Sequence, residues 1–346
     1  MIKRIPIFLA LLAVVFTAGC QSASPAATGQ PTASATEQPT VSAAAQPTAS
    51  TAGTRTIEHA FGTTNIPANP QRIVAADLGA FIPTFGVLSA LGVRPIAVTA
   101  DRVPAYLSQY TDGMQILPGQ PNYEAIAALK PDLIITPGVE YNRKNYETLA
   151  QIAPTVAPTW YWQTIEQMTG YWRAVAMIVN KQAAGEKLVA DLQAQIGSMR
   201  TALEPRMQGK LVSVLQAQQL GLQGLYLQTG RIESALLNAV GVARPANQTY
   251  DPNNPQWYRE INPELLGEAD AWAMFVEVYA DNPNDIPTVR QQLEANPLWS
   301  KLEAVQRGRV FFVETDKWSG TDPFVAQLIL DTIEKNLTAA LAAEGS

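Results

Sequence analysis

From residue 163 to 206 the chain reads as helix, and on either side of it strand and helix signals alternate. Ile165, Met168, Trp172, Val175 and Val179 recur at steps of three and four, which makes one apolar stripe. Asn180 offers a left-handed stop, and a second stripe follows through Leu188, Leu192, Ile196, Met199 and Leu203. At 1.5 Å per residue the first helix alone spans about 25 Å, enough to run along the side of a small domain.

Before the helices, Arg72–Asp77, Pro95–Val98, Leu133–Ile135 and Thr155–Trp160 read as extended, and 81–91, 122–130 and 145–152 as helical. Such alternation predicts a parallel sheet covered on both faces. After them, 211–215, 225–228, 271–278 and 310–313 read as strands, and 233–240 and 324–341 as helices. The expected architecture is α/β: two Rossmann-like lobes, 56–162 and 207–346, bridged by one long α-helix within the connecting helices of 163–206. A helical bridge implies limited domain motion, and ligands of open α/β sheets bind beyond the carboxyl ends of strands. The cleft between the lobes is therefore the expected site.

Composition removes whole classes of function. The net charge of −6 argues against nucleic-acid binding, and one Cys with one His excludes disulfide frameworks and Cys/His zinc sites within the chain. No G-x-S-x-G, P-loop or dinucleotide-binding glycine motif occurs. His59 has no second His and no Cys beside it, so it reads as structural or exposed rather than as a catalytic group.

The amino terminus carries a targeting pattern. Lys3 and Arg4 precede an apolar run from Ile5 to Ala18, long enough for a signal-peptide core and short for a membrane span. Thr17-Ala-Gly-Cys20 resembles a bacterial lipobox, with Thr17 where Leu, Val or Ile is usual; the alternative is ordinary secretory cleavage beside an incidental Cys. We expect residues 1–19 to be a lipoprotein signal peptide. Cys20 would be lipidated, and 20–55 would be the anchor and a flexible tether. From Gln21 to Arg55 only Glu37, Val41 and Arg55 are not Ala, Ser, Thr, Pro, Gln or Gly, a composition that cannot offset its ordering entropy. The lipidated protein would sit at the outer face of the plasma membrane or in the periplasm without spanning a bilayer.

The lobes echo each other. Asn122-Tyr-Glu124 and Asn262-Pro-Glu264 each place a capping residue and an early Glu before a buried strand. Helix-dipole stabilisation, about 0.3 to 1 kcal/mol, explains this as well as a shared function does. Together with Ala90–Pro95, Asn122–Ile135, Ile261–Glu264 and Asn296–Val310, these segments resemble, in order along nearly all of 56–341, the periplasmic-binding-protein family for iron siderophores and cobalamin. The resemblance implies two α/β lobes bridged by a long helix. It also implies a substrate-binding lipoprotein of an ABC importer, with Glu124 and Glu264 docking on the permease and its ATPase. Such a protein needs no cofactor and breaks no bond.

A single His argues against the bare-metal binders of that superfamily, so no direct metal ligand is expected. A ferric siderophore brings its own oxygen ligands and needs aromatic walls and cationic donors. Candidates in the turns are Arg102, Tyr106, Tyr141, Arg143, Trp160, Trp162, Tyr226, Arg231, Trp257, Tyr258, Arg259, Tyr279 and Trp318. Trp172, Trp272 and Trp299 read as core. In hydroxamate-binding relatives an Arg often precedes the Asn-x-Glu motif; Met114–Tyr123 has none, which leaves Arg102, Arg143 or Arg231 to supply the charge. Cobalamin or heme is the alternative ligand. The rival from another class is an exported α/β hydrolase acting through Glu277 with Asp281 or Asp285. A monomer is expected.

Overall fold

Every residue of Ile73-Val-Ala75 and of Leu133-Ile-Ile135 is buried, as strands covered on both faces must be. The computed structural model describes residues 53–344 except 78, 80, 219–223, 252–255 and 281. The signal peptide, Cys20 and the tether up to residue 52 lie outside the described residues, as does Asp281.

The chain enters through a hairpin, β1 (Thr54–His59) and β2 (Gly62–Pro67). β3 (Ile73–Ala75), α1 (Pro83–Ala90), β4 (Ala97–Thr99), β5 (Gln115–Leu117), α2 (Tyr123–Ala128), β6 (Leu133–Ile135), α3 (Arg143–Leu149) and β7 (Thr155–Val156) follow. The first sheet runs β5-β4-β3-β6-β7 and is parallel throughout. Then come α4 (Ile165–Ile178) and α5 (Gln182–Leu203). The second lobe contains β8 (Val212–Gln218), β9 (Gly224–Gln228), α6 (Ile232–Ala239), β10 (Tyr258–Ile261), β11 (Ala273–Tyr279), α7 (Ile286–Glu294), α8 (Glu303–Gln306), β12 (Val310–Val313), α9 (Thr315–Trp318) and α10 (Pro323–Glu344). Its sheet runs β10-β9-β8-β11-β12; β8, β11 and β12 are parallel, and β9 is antiparallel to both neighbours.

Side chains alternate along each strand, and the alternation divides the core. Ile73, Ala75, Leu133 and Ile135 of the first sheet join Val212, Val214, Ala273 and Phe275 of the second in one cluster, filled by α4, α5 and α10. Val74, Ile134 and Ile126 make a separate core on the first sheet's other face, and Leu215, Met274, Val276 and Leu293 one on the second's. The lobes thus share a continuous apolar interior. Each large side chain buried there contributes about 1.5 to 3 kcal/mol, so the connection is stiff.

The bridge comprises two helices. Thr164 Oγ1 caps α4 by accepting from Gln167 N at 3.2 Å, and Gln167 closes the capping box. Asn180, at φ 57°, separates α4 from α5 and donates from Nδ2 to Ala68 O at 2.7 Å. The strand at Thr54 replaces the tether expected as far as Arg55, whose guanidinium hydrogen-bonds Met177 O and Ile178 O at the end of α4. β5 and β10 escaped sequence reading because they are short edge strands with polar or exposed residues.

Candidate ligand-binding cleft

Where β8 and β11 run past the shared core, their inward positions turn polar. Gln216 and Gln218 continue the face of Val212 and Val214, and Glu277 and Tyr279 that of Ala273 and Phe275. These residues floor a cavity of about 480 Å³ between the lobes, within the range of small-ligand clefts.

The first lobe's contributions to the wall follow strands at their carboxyl ends. Phe81, Ile82 and Pro83 follow β3; Arg102, Pro104 and Tyr106 follow β4; Tyr141 follows β6; Trp160 and Trp162 follow β7. Phe81, Trp160 and Trp162 form an aromatic row, with ring centroids 6.2 and 5.0 Å apart. The second lobe adds Arg231, Ile232 and Trp257, with Thr315, Asp316 and Ser319 to Asp322 around α9.

Eight of the thirteen sequence candidates therefore line the cavity: Arg102, Tyr106, Tyr141, Trp160, Trp162, Arg231, Trp257 and Tyr279. The other five lie elsewhere. Arg143 pairs with Glu140 at 2.7 Å and covers the Phe61 ring at 4.6 Å. Tyr226 and Tyr258 meet edge to face on β9 and β10, and Arg259 pairs with Glu268. Trp318 is fully buried and stacks on Phe275 at 4.7 Å, because α9 turns that position into the shared core. Trp172 and Trp299 are buried as expected, whereas Trp272 is half-buried beneath Arg309.

A polar network shapes the floor. Glu277, with no exposed surface, accepts from Gln216 Nε2 and from Ser319 Oγ, both at 2.7 Å. Arg231 lies 3.2 Å from Glu233 Oε1 and 3.8 Å from Glu277 Oε2, with its guanidinium 5.3 Å from the centre of the Trp257 ring. Burial pushes the Glu233 carboxyl up, against the pull of Arg231. The rival enzymatic pairing gains no support from this arrangement, since Glu277 is held by an amide, a hydroxyl and a guanidinium.

The lobes also bond directly. Arg102 meets Asp316 fork to fork, Trp160 Nε1 donates to Thr321 Oγ1 at 2.8 Å, and Tyr106 OH donates to Asp322 Oδ2 at 2.8 Å. Asp322 Oδ1 also accepts from Phe324 N and Val325 N at the start of α10, and burial raises its carboxyl to about 6. Gly86 permits this approach, because a Cβ there would lie 2.4 Å from Asp322 Cβ. Asp77, accepting from Thr84 N and Phe85 N at the start of α1, is raised by burial to about 7.

The remaining sequence features fall outside the cleft. Phe61 N donates to His59 Nδ1 at 3.2 Å, which leaves Nε2 to donate to Thr64 Oγ1 at 2.9 Å, so His59 locks the entry hairpin. Asn122 Oδ1 caps α2 by accepting from Ala125 N, whereas Asn262 makes no such bond and Glu264 stands in a 3-10 turn. Glu124 and Glu264 are both exposed. Among the described residues no group of three or more His, Cys, Asp or Glu is arranged to hold a metal ion.

Sequence reasoning missed Phe81, Gln216, Gln218, Thr315, Asp316, Ser319, Thr321 and Asp322. A signal existed for the glutamines, whose period-2 placement puts polar groups on a face that begins apolar.

Two α/β lobes clasping an aromatic-walled cavity define a two-lobed ligand-binding protein. The sequence matches the periplasmic binding protein family over residues 84–316, and the chain belongs to that family. It is 29% identical to the probable siderophore-binding lipoprotein YfiY of Bacillus subtilis, over 95% of this chain and 96% of that protein. It is 26% identical to the ferric-anguibactin-binding protein FatB of Vibrio anguillarum, over 81% of this chain and 86% of that one. The fold also matches that of Staphylococcus aureus SirA complexed with staphyloferrin B, with a TM-score of 0.70 at 21% identity over 82% of this chain and 98% of SirA.

Proposed function

We propose that this chain is the substrate-binding lipoprotein of an ABC importer, that it captures a ferric siderophore in the cleft, and that it delivers the chelate to a permease without breaking a bond. The observation that carries the reading is the cavity itself, with aromatic and cationic side chains converging from both lobes in a chain that aligns almost end to end with a probable siderophore-binding lipoprotein. Aromatic faces suit a ligand that arrives with its iron already coordinated. Arg102, Tyr106, Tyr141, Trp160, Trp162, Arg231, Trp257 and Tyr279 are the proposed contacts.

Export, lipidation at Cys20 and location at the outer face of the plasma membrane or in the periplasm complete the proposal, supported by the lipobox-like Thr17–Cys20 and by the lipoprotein relatives. Glu124 and Glu264, exposed on separate lobes, are proposed to dock on the permease, and the protein to act as a monomer. The test is tryptophan quenching of the full chain in mild detergent by ferric hydroxamate, ferric catecholate, ferric citrate, heme and cobalamin. Saturable sub-micromolar quenching by a ferric chelate supports the reading. Saturation by heme or cobalamin alone would keep the transport role and remove the siderophore.

A further inference from the structure

On the siderophore reading, the charges that line the cleft decide which chelates it admits. Two guanidinium groups and three carboxylates face the cavity: Arg102 and Arg231 against Glu277, Asp316 and Asp322. Both cations are already engaged by acids. Arg102 is gripped fork to fork by Asp316, and Arg231, 8% exposed, lies between Glu233 and Glu277.

An anionic chelate entering this space must shed water beside carboxylates with no uncommitted cation among the described lining residues to meet it, and like charges repel strongly where water is displaced. A neutral chelate escapes that penalty. Its amide N–H groups find an acceptor in the partly exposed Gln218 carboxamide, and an ammonium gains further from the field of the carboxylates. Three hydroxamates, each bearing one negative charge, neutralise a ferric ion, whereas three doubly charged catecholates leave the complex at minus three.

We propose that the cleft is a charge filter that accepts ferric tris-hydroxamates, neutral or carrying an ammonium, and rejects trianionic tris-catecholates. Glu277 is the residue that sets the selection. It sits on the cavity side of β11, in register with Gln216 of β8, and its carboxyl group is fixed at the floor by hydrogen bonds from Gln216 and Ser319.

The test titrates the full chain in detergent with ferrichrome (neutral), ferrioxamine B (one ammonium) and ferric enterobactin (trianionic), at two salt concentrations. The expected result is that both hydroxamates bind at least about thirtyfold tighter than enterobactin, a gap that narrows in high salt. Glu277→Gln, which keeps the shape, should weaken ferrioxamine B several-fold and tighten enterobactin. The wild-type ranking tests the filter whether or not the variant folds. Enterobactin binding tightest would overturn the filter and leave the siderophore reading standing. Unchanged ratios in a folded Glu277→Gln protein would remove Glu277 as selector. No binding of any of the three, with heme or cobalamin saturating, would instead sink the siderophore reading.

Discussion

Arg102 of the first lobe and Asp316 of the second hold each other fork to fork across the cavity, with Arg102 Nη1 donating to Asp316 Oδ2 at 2.9 Å. Their side chains are 47% and 28% exposed, and pairs as exposed as these contribute only about 0 to 1 kcal/mol to stability. The pair therefore matters more for what it denies a ligand than for holding the lobes together. Asp316→Asn should shift the melting temperature by no more than about 2 °C. It should raise affinity for anionic ferric citrate several-fold by releasing the guanidinium. Calorimetry and quenching titrations check both, and an unchanged citrate affinity would show that Arg102 does not face the ligand.

Thr321 ties two tryptophans to the second lobe: Trp160 Nε1 donates to its Oγ1 at 2.8 Å and Trp172 Nε1 to its carbonyl at 2.6 Å. Thr321→Val keeps the volume and the carbonyl but strands the Trp160 N–H, a loss of about 1 to 3 kcal/mol for a buried donor. The melting temperature should fall by a few degrees, and ligand affinity should fall with it, because Trp160 forms the cavity wall. In a Trp160→Phe background the same substitution should cost almost nothing. Equal losses in both backgrounds would place the effect elsewhere.

How far the sequence exposed this site depends on which residues local pattern controls. Arg102, Tyr106, Tyr141, Trp160 and Trp162 lay within reach because each follows a strand that is plain to read, and loops at carboxyl ends of strands carry function. Trp318 misled because it too follows a strand, β12, yet one turn of helix carries its ring into the core against Phe275. Asp316, Thr321 and Asp322 were invisible for the opposite reason. Each acquires meaning only from a partner more than 150 residues away, Arg102, Trp160 and Tyr106, which no local period encodes. The bridge was legible down to its break, since Asn180 is one of the few non-glycine residues that tolerate a positive φ.

Glu124 and Glu264 make no hydrogen bond or ion pair among the described residues, although Glu124 follows a capped helix start. Exposed carboxylates with no internal role can be reversed at little cost, so Glu124→Lys with Glu264→Lys should change the melting temperature by under about 2 °C. Ligand affinity should stay unchanged. Uptake of the labelled ferric chelate by cells carrying the double variant should fall at least tenfold if the two acids dock on a basic permease surface. Undiminished uptake would remove the docking role.

Asp322 links the cleft to pH. Burial lifts its carboxyl from the ordinary 3.8 to about 6, so between those values the folded chain retains a proton that the unfolded chain has released. The protonated form's contribution is complete below pH 3.8 and is lost as pH rises through about 6. Stability should therefore decline across that window, by up to about 3 kcal/mol from this group. Asp77, raised to about 7, adds a decline of the same sign at slightly higher pH. Asp322→Asn is a suitable probe. Its Oδ1 can keep both bonds from Phe324 N and Val325 N, and its Nδ2 can donate to Tyr106 once that hydroxyl rotates to accept. Melting temperatures of the two proteins should nearly coincide at pH 4, and the variant should be the more stable at pH 7, with only the Asp77 slope left. Parallel curves from pH 4 to 7 would mean that Asp322 titrates alike in the folded and unfolded chain, and that its burial beneath α10 does not govern its charge.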